Sequence, residues 1–194
     1  MKVAIIDYGA GNIQSVRFAL ERLGVHPLLS RDPEEIRNAD RVIFPGVGAA
    51  GAAMKKLRES GLDSVIPELK QPVLGICLGM QLLCAGSEEN ETTGLGIFDT
   101  RALRFQPGVK VPHMGWNTIQ GLKTPLFEGV DENTFVYSVH SYYVPKIPDV
   151  IAVTNYQCDY SAAISKDNFY GVQFHPEKSG PIGNKILSNF INLN

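Results

Sequence analysis

Through the first 83 residues, short apolar β-rich runs alternate with stretches of helical periodicity, and that alternation admits few folds. The runs are Lys2 to Asp7, Pro27 to Leu29, Arg41 to Phe44 and Pro72 to Ile76. Between them, Asn12 to Leu23 carries apolar residues at helical spacing and stops at Gly24, and Asp32-Pro33-Glu34-Glu35 opens a second helix. Ala49 to Glu59 and Asp63 to Leu69 predict two more. Strands that alternate with helices form βαβ units, so the expected fold is α/β, with a mostly parallel central sheet and helices on both faces. After Gly94 the runs Asn133 to Val139, Val150 to Asn155 and Phe169 to Phe174 are separated by turn residues, which predicts antiparallel additions. A closing helix is expected over Ile182 to Ile191. With no repeat, low-complexity stretch or linker, residues 1–194 form a single domain on this reading.

The last β-rich run of the first half leads into Gly75-Ile76-Cys77-Leu78-Gly79-Met80-Gln81. A cysteine between glycines at a strand-to-helix junction has the form of a nucleophile elbow, a tight turn that lifts one side chain above the carboxyl edge of the sheet. The helix starting at Leu78 would set its positive end beside the sulfur and favour thiolate, and the Leu78 N–H would face a developing oxyanion. From the elbow alone, a buried structural cysteine at a helix start fits equally well.

A nucleophilic thiol needs a base. Of His26, His113, His140 and His175, only His175 has a carboxylate in a useful register, in Phe174-His175-Pro176-Glu177. If that segment is extended, alternate residues share a side, so Glu177 can hold the His175 ring while its other nitrogen meets the thiol. Taken alone the segment also fits a solvated strand end, and the other three histidines read as structural. Phe44-Pro45-Gly46-Val47-Gly48 can supply a second oxyanion donor from a neighbouring strand end, around Gly46 and Val47, or be a plain strand-to-helix turn. A phosphate loop is the weaker alternative, because the lysine of a P-loop is missing.

Composition narrows the partners. Eighteen Lys and Arg against 20 Asp and Glu give a net charge of −2 with no charged tail, which argues against nucleic acid or an anionic membrane. The longest mostly apolar segment, Ile43 to Met54, is shorter than the roughly 18 residues needed to span a bilayer, and the apolar run before Asp7 is too short for a secretory signal. Three cysteines without framework spacing fit a reducing compartment, and a cytoplasmic location is expected. No zinc spacing or cofactor motif appears.

GICLGMQ together with Gly171-Val172-Gln173-Phe174-His175-Pro176-Glu177-Lys178-Ser179 resembles the class I, triad-type glutamine amidotransferases, and the resemblance runs from Val3 to the last helix. Four further segments are similar to those of the glutaminase subunits of imidazole glycerol phosphate synthases: Asp7 to Asn12, Pro45 to Gly48, Pro112 to Asn117 and Val139 to Tyr142. The resemblance implies hydrolysis of the L-glutamine side-chain amide by Cys77, His175 and Glu177 through a thioester, with Leu78 and the Gly46-Val47 segment as oxyanion donors. It implies that Gln81 contacts the bound glutamine, Glu89 pairs with its α-amino group, and backbone at Ser141 and Tyr142 receives its α-carboxylate. A family domain takes up essentially all 194 residues, so the ammonia acceptor is expected on another chain, a (β/α)₈ barrel cyclase forming a heterodimer through Asn12, Trp116, Tyr137 and Lys178. Glu89 could equally sit in a solvated loop, and Trp116 in the core.

Other functions share parts of this pattern. A glutaminase subunit for anthranilate, purine or pyridoxal phosphate synthesis would carry the same elbow, and His113 to Asn117 is the segment that discriminates. Gln81 and Glu89 argue against a peptidase on a related fold, and the intact Cys77, His175 and Glu177 argue against a non-catalytic binding module.

Overall fold

The computed structural model describes residues 1–9 and 12–193. Its first half follows the predicted alternation: β1 (Val3–Ile6), α1 (Ile13–Arg22), β2 (Leu28–Ser30), α2 (Pro33–Arg37), β3 (Arg41–Gly46), α3 (Ala50–Glu59), α4 (Leu62–Val65), β4 (Val73–Cys77) and α5 (Leu78–Leu83). The Asp32 carboxylate accepts from the Glu34 and Glu35 amides and Pro33 occupies the first helical position, so α2 starts where the sequence places it. The helix expected to reach Leu69 stops at Val65 and tightens into a 3-10 turn over Ile66–Glu68, because Pro67 lacks the N–H that would continue it.

The second half is richer in strands than expected. It comprises β5 (Cys84–Ser87), β6 (Thr92–Thr93), β7 (Phe98–Arg104), β8 (His113–Ile119), β9 (Thr134–His140), β10 (Tyr142–Tyr143), β11 (Val150–Asn155), β12 (Asp159–Lys166), β13 (Phe169–Val172) and α6 (Gly180–Ile191). The main sheet has the order β11-β12-β13-β4-β3-β1-β2. From β13 to β2 neighbouring strands are parallel, while β11, β12 and β13 pair antiparallel. A four-stranded sheet, β10-β7-β5-β6, and the β8–β9 hairpin complete the fold.

Alternation along each central strand divides the core in two. Ala4, Ile6, Val42, Phe44 and Val73 point to the side covered by α2 to α5. Val3, Ile5, Ile43, Leu74 and Ile76 point to the side covered by α1 and α6. Both faces are dry, which is why these strands read as unbroken apolar runs.

The elbow rests on one close approach. A Cβ on Gly79 would stand 1.9 Å from the Phe44 carbonyl oxygen, so only glycine lets α5 settle against β3. The Gly79→Ala variant should therefore lose about 3 kcal/mol or more of stability, seen as a fall in Tm of about 6–12 °C in thermal unfolding. A Tm within about 2 °C of the parent chain would show that α5 can move away without cost.

Candidate active site

Cys77 is the last residue of β4 and adopts φ 53°, ψ −109°, a strained left-handed backbone for a side chain other than glycine. This twist turns the sulfur out of the sheet into a cleft of about 600 Å³. Cys84, at the far end of α5, is fully buried, and burial pushes its thiol up to about 12. Of these two cysteines only Cys77 opens on the cleft.

His175 and Glu177 enter the same cleft region from the chain that leaves β13. His175 lines the cleft, and its Nδ1 lies 2.8 Å from Glu177 Oε1, with both side chains almost fully buried. The pairing does not come from extended alternation as expected. β13 ends at Val172, and Pro176–Lys178 is a 3-10 turn, which brings residues two apart together by curling. The Tyr137 peptide clamps this turn. Its carbonyl accepts the His175 N–H at 2.8 Å, and its N–H donates at 2.9 Å to Ser179 Oγ, which in turn donates to the His175 carbonyl at 2.7 Å.

His175 Nε2 is buried and has no hydrogen-bond partner among the described residues. Burial alone would lower the pKa of this ring. The nearby Cys77 sulfur and the hydrogen bond and charge of Glu177 outweigh burial and raise it to about 10. The arrangement is a buried imidazole between a sulfur and a carboxylate, both of which favour its protonation, the pattern of a thiol nucleophile with an oriented base.

The remaining expected residues gather around this group with some changes. Leu78 and Val47 line the cleft, but Gly46 does not: it is paired in register with Cys77, and a Cβ there would meet Gly79 N at 2.7 Å. Gln81 lines the cleft, yet its nitrogen is taken up by the Tyr142 carbonyl at 2.9 Å and Gln173 Oε1 at 3.0 Å, so only its oxygen remains to meet a ligand. Ser141 and Tyr142 form another wall. Glu89 also reaches the cleft, where its Oε2 accepts the Ala50 N–H at 2.7 Å. It thereby caps α3, whose own N-cap residue Ala49 has no side-chain acceptor.

Asn12 and Lys178 stand at the cleft, while Trp116 and Tyr137 pair edge to face on the hairpin with ring centroids 5.9 Å apart. Trp116 is 55% exposed, so the core placement is wrong for it. Of the Asp7 to Asn12 segment, Ala10 and Gly11 lie outside the described residues. His113 and His140 are buried, and His140 also lines the cleft. Sequence reasoning missed Gln173, which is 1% exposed and has its Nε2 3.7 Å from Cys77 Sγ. Its place in Gly171 to Ser179, two residues before His175, was the available signal.

Residues 4–193 match the family described as "Glutamine amidotransferase class-I". The chain belongs to that family. Among this amidotransferase's relatives, a Bacteroides fragilis protein named "Imidazole glycerol phosphate synthase subunit HisH" is 58% identical, and an Escherichia coli protein of the same name is 47% identical; each alignment covers 100% of both chains. The amidotransferase fold also matches a chain in the solved structure of PurLQS from Thermotoga maritima, at a TM-score of 0.74 and 18% identity over 98% of this chain and 97% of that one.

The His175–Glu177 pair makes stability depend on pH. A pKa raised from 6.5 to about 10 contributes stability that is fully present below pH 6.5 and is lost as pH rises through about 10. The Glu177→Gln variant should be less stable than the parent by about 2 kcal/mol near neutral pH, with the deficit shrinking toward pH 10. Urea unfolding at several pH values measures it, and a deficit that grows with pH would contradict the charged pair.

Proposed function

We infer that this chain is the glutaminase subunit of an imidazole glycerol phosphate synthase, hydrolysing glutamine to glutamate and ammonia. Full-length identity of 58% and 47% to proteins of that name carries the inference. The cleft supports it by bringing a sulfur beside an imidazole that is paired with a carboxylate. The whole chain acts as one amidotransferase domain, and three free cysteines suit a cytoplasmic enzyme.

In the proposed reaction the Cys77 thiolate attacks the carboxamide carbon of glutamine, and the carbonyl oxygen becomes an oxyanion. The Leu78 N–H and the Gly46-Val47 segment, of which Val47 lines the cleft, face that charge. His175 gives the proton taken from the thiol to the departing nitrogen, ammonia leaves, and a thioester remains. Water then attacks the thioester as His175 accepts its proton, releasing glutamate and restoring the thiol. Glu177 keeps the ring in one orientation through Nδ1. The free oxygen of Gln81 and the Glu89 carboxylate meet the donors of the substrate, the latter its α-ammonium, while backbone at Ser141 and Tyr142 receives its α-carboxylate.

The ammonia acceptor is a (β/α)₈ barrel cyclase bound as a heterodimer over Asn12, Trp116, Tyr137 and Lys178. On the hairpin, Met114, Trp116 and Phe135 are 61%, 55% and 59% exposed, an apolar surface suited to an anchor in such an interface. Ammonia in water at neutral pH is mostly protonated and no longer nucleophilic, so a sheltered route across the interface keeps it reactive.

Activity of the assembled complex tests the roles. Cys77→Ala should abolish glutamate release with the fold intact, His175→Ala should be nearly as severe, and Glu177→Gln should be milder. Retained turnover in Cys77→Ala, or a deeper loss in Glu177→Gln than in His175→Ala, contradicts the assignment. For the sheltered route, both chains are mixed with glutamine, the cyclase substrate and an excess of an ammonia-consuming enzyme. Product yield should be insensitive to the scavenger; suppression in proportion to its concentration, or failure of the chains to associate in sizing experiments, refutes the heterodimer with a protected passage.

A further inference from the structure

From the cleft wall inward runs a polar chain whose hydrogens can all be assigned. The Tyr142 carbonyl oxygen can only accept, and it takes contacts from Gln81 Nε2 at 2.9 Å and His140 Nδ1 at 2.8 Å. The first contact settles which way the Gln81 carboxamide faces. Its nitrogen then meets Gln173 at 3.0 Å, so Gln173 must present its oxygen there and its nitrogen to Cys77 Sγ, 3.7 Å away. A reversed Gln173 would set nitrogen against nitrogen.

The second contact works backward from the same oxygen. His140 must carry its proton on Nδ1, and burial, reinforced by the neighbouring His113 and His175 against the Tyr142 hydrogen bond, holds its pKa down at about 3, leaving the ring neutral. Its Nε2 is then a bare acceptor, and the Tyr160 hydroxyl, 3.2 Å away, donates to it. With its one proton committed, the Tyr160 oxygen accepts from His113 Nδ1 at 3.3 Å. Tyr160 is fully buried, so water does not compete for these positions.

We propose that Gln173 is a further catalytic residue, whose carboxamide N–H hydrogen-bonds the Cys77 sulfur and favours thiolate over thiol, in an orientation dictated by Gln81 and the Tyr142 carbonyl. The proposal rests on Cys77 being the nucleophile of the glutaminase. An N–H donor binds sulfur more strongly when the sulfur carries charge. Besides the His175 ring beside it, this sulfur meets the Val139 carbonyl at 3.8 Å, an acceptor that suits the protonated thiol. The Gln173 and Val139 contacts thus suit different protonation states of the sulfur.

The test uses iodoacetamide and no glutamine. Alkylation of Cys77 is followed by peptide mass spectrometry from pH 6 to pH 10 in the parent chain, in Gln173→Met, which has similar length and no donor, and in Gln173→Glu, which keeps an oxygen facing Gln81 and sets a carboxylate oxygen in place of the donor. Gln173→Met should react about three- to tenfold more slowly near pH 7 and converge with the parent at high pH, where thiolate forms without help. Gln173→Glu should be slower still near pH 7, because its carboxylate repels a thiolate. In the cyclase complex kcat should fall by a factor similar to that of alkylation, with KM changed less. Parent-like alkylation at every pH in a folded variant overturns the proposal, as does uniform slowing at all pH, which would mean altered access. If Gln173→Met fails to fold by circular dichroism, Gln173→Glu decides by the same criteria. An alkylation profile that contradicts the proposal leaves the glutaminase assignment standing, whereas a parent complex that releases no glutamate removes that assignment and leaves the profile as measured.

Discussion

The contact between Gly79 and the Phe44 carbonyl governs the rest of the molecule. It lets α5 start immediately after β4, and this short connection is possible only because Cys77 accepts a left-handed backbone that costs about 1–3 kcal/mol. Packing on both sides of the elbow holds that strain in place. The sulfur consequently stands at the carboxyl edge of the parallel strands, where the segments after β1, β3 and β13 also converge, the position at which open α/β sheets bind their ligands.

Two kinds of histidine surround the cleft, and their neighbours explain the difference. His140 sits among aromatic rings and neutral hydrogen-bond partners, and burial keeps it uncharged. His175 is no less hidden, but it has a carboxylate 2.8 Å from one nitrogen and a sulfur near the other, and these favour the proton. Burial removes water from both rings; the groups that replace the water decide which ring is charged.

Much of this was legible in the chain. The central strands were, since a strand covered on both faces is apolar throughout, and Asp32-Pro33 marked a helix start unmistakably. β5 and β12 were not, because Cys84-Ala85-Gly86-Ser87 has no bulky branched residue and Asp159 to Lys166 has only Tyr160 and Ile164 among small and polar residues, so both owe their conformation to their neighbours in the sheets. Cys77, His175 and Glu177 were found from local motifs, although the His175–Glu177 contact forms through a turn and not by extended geometry. Glu89 capping α3 across 39 positions depends on tertiary register and leaves no local trace; the contact of Gln173 with Cys77 across 96 positions depends on it too, although the Gly171 to Ser179 motif marked the residue.

The clamp on His175 has a mechanical corollary. The turn bearing His175 and Glu177 is seated against α6, where Gly183 comes so close to the Pro176 carbonyl that no larger residue fits. The elbow that carries the sulfur leads into α5, whose residues pack on the opposite face of the main sheet, while Cys77 itself is buried on the α6 side. The supports of nucleophile and base thus lie in different layers of the protein, and packing in both layers sets the gap between them. A substitution packed under α5 would displace the sulfur, one packed under α6 would displace the imidazole, and either could detune proton transfer from well outside the cleft. Two changes, one in each layer, could also cancel, so interior positions with no contact to substrate can vary together while the distance between sulfur and nitrogen stays the same.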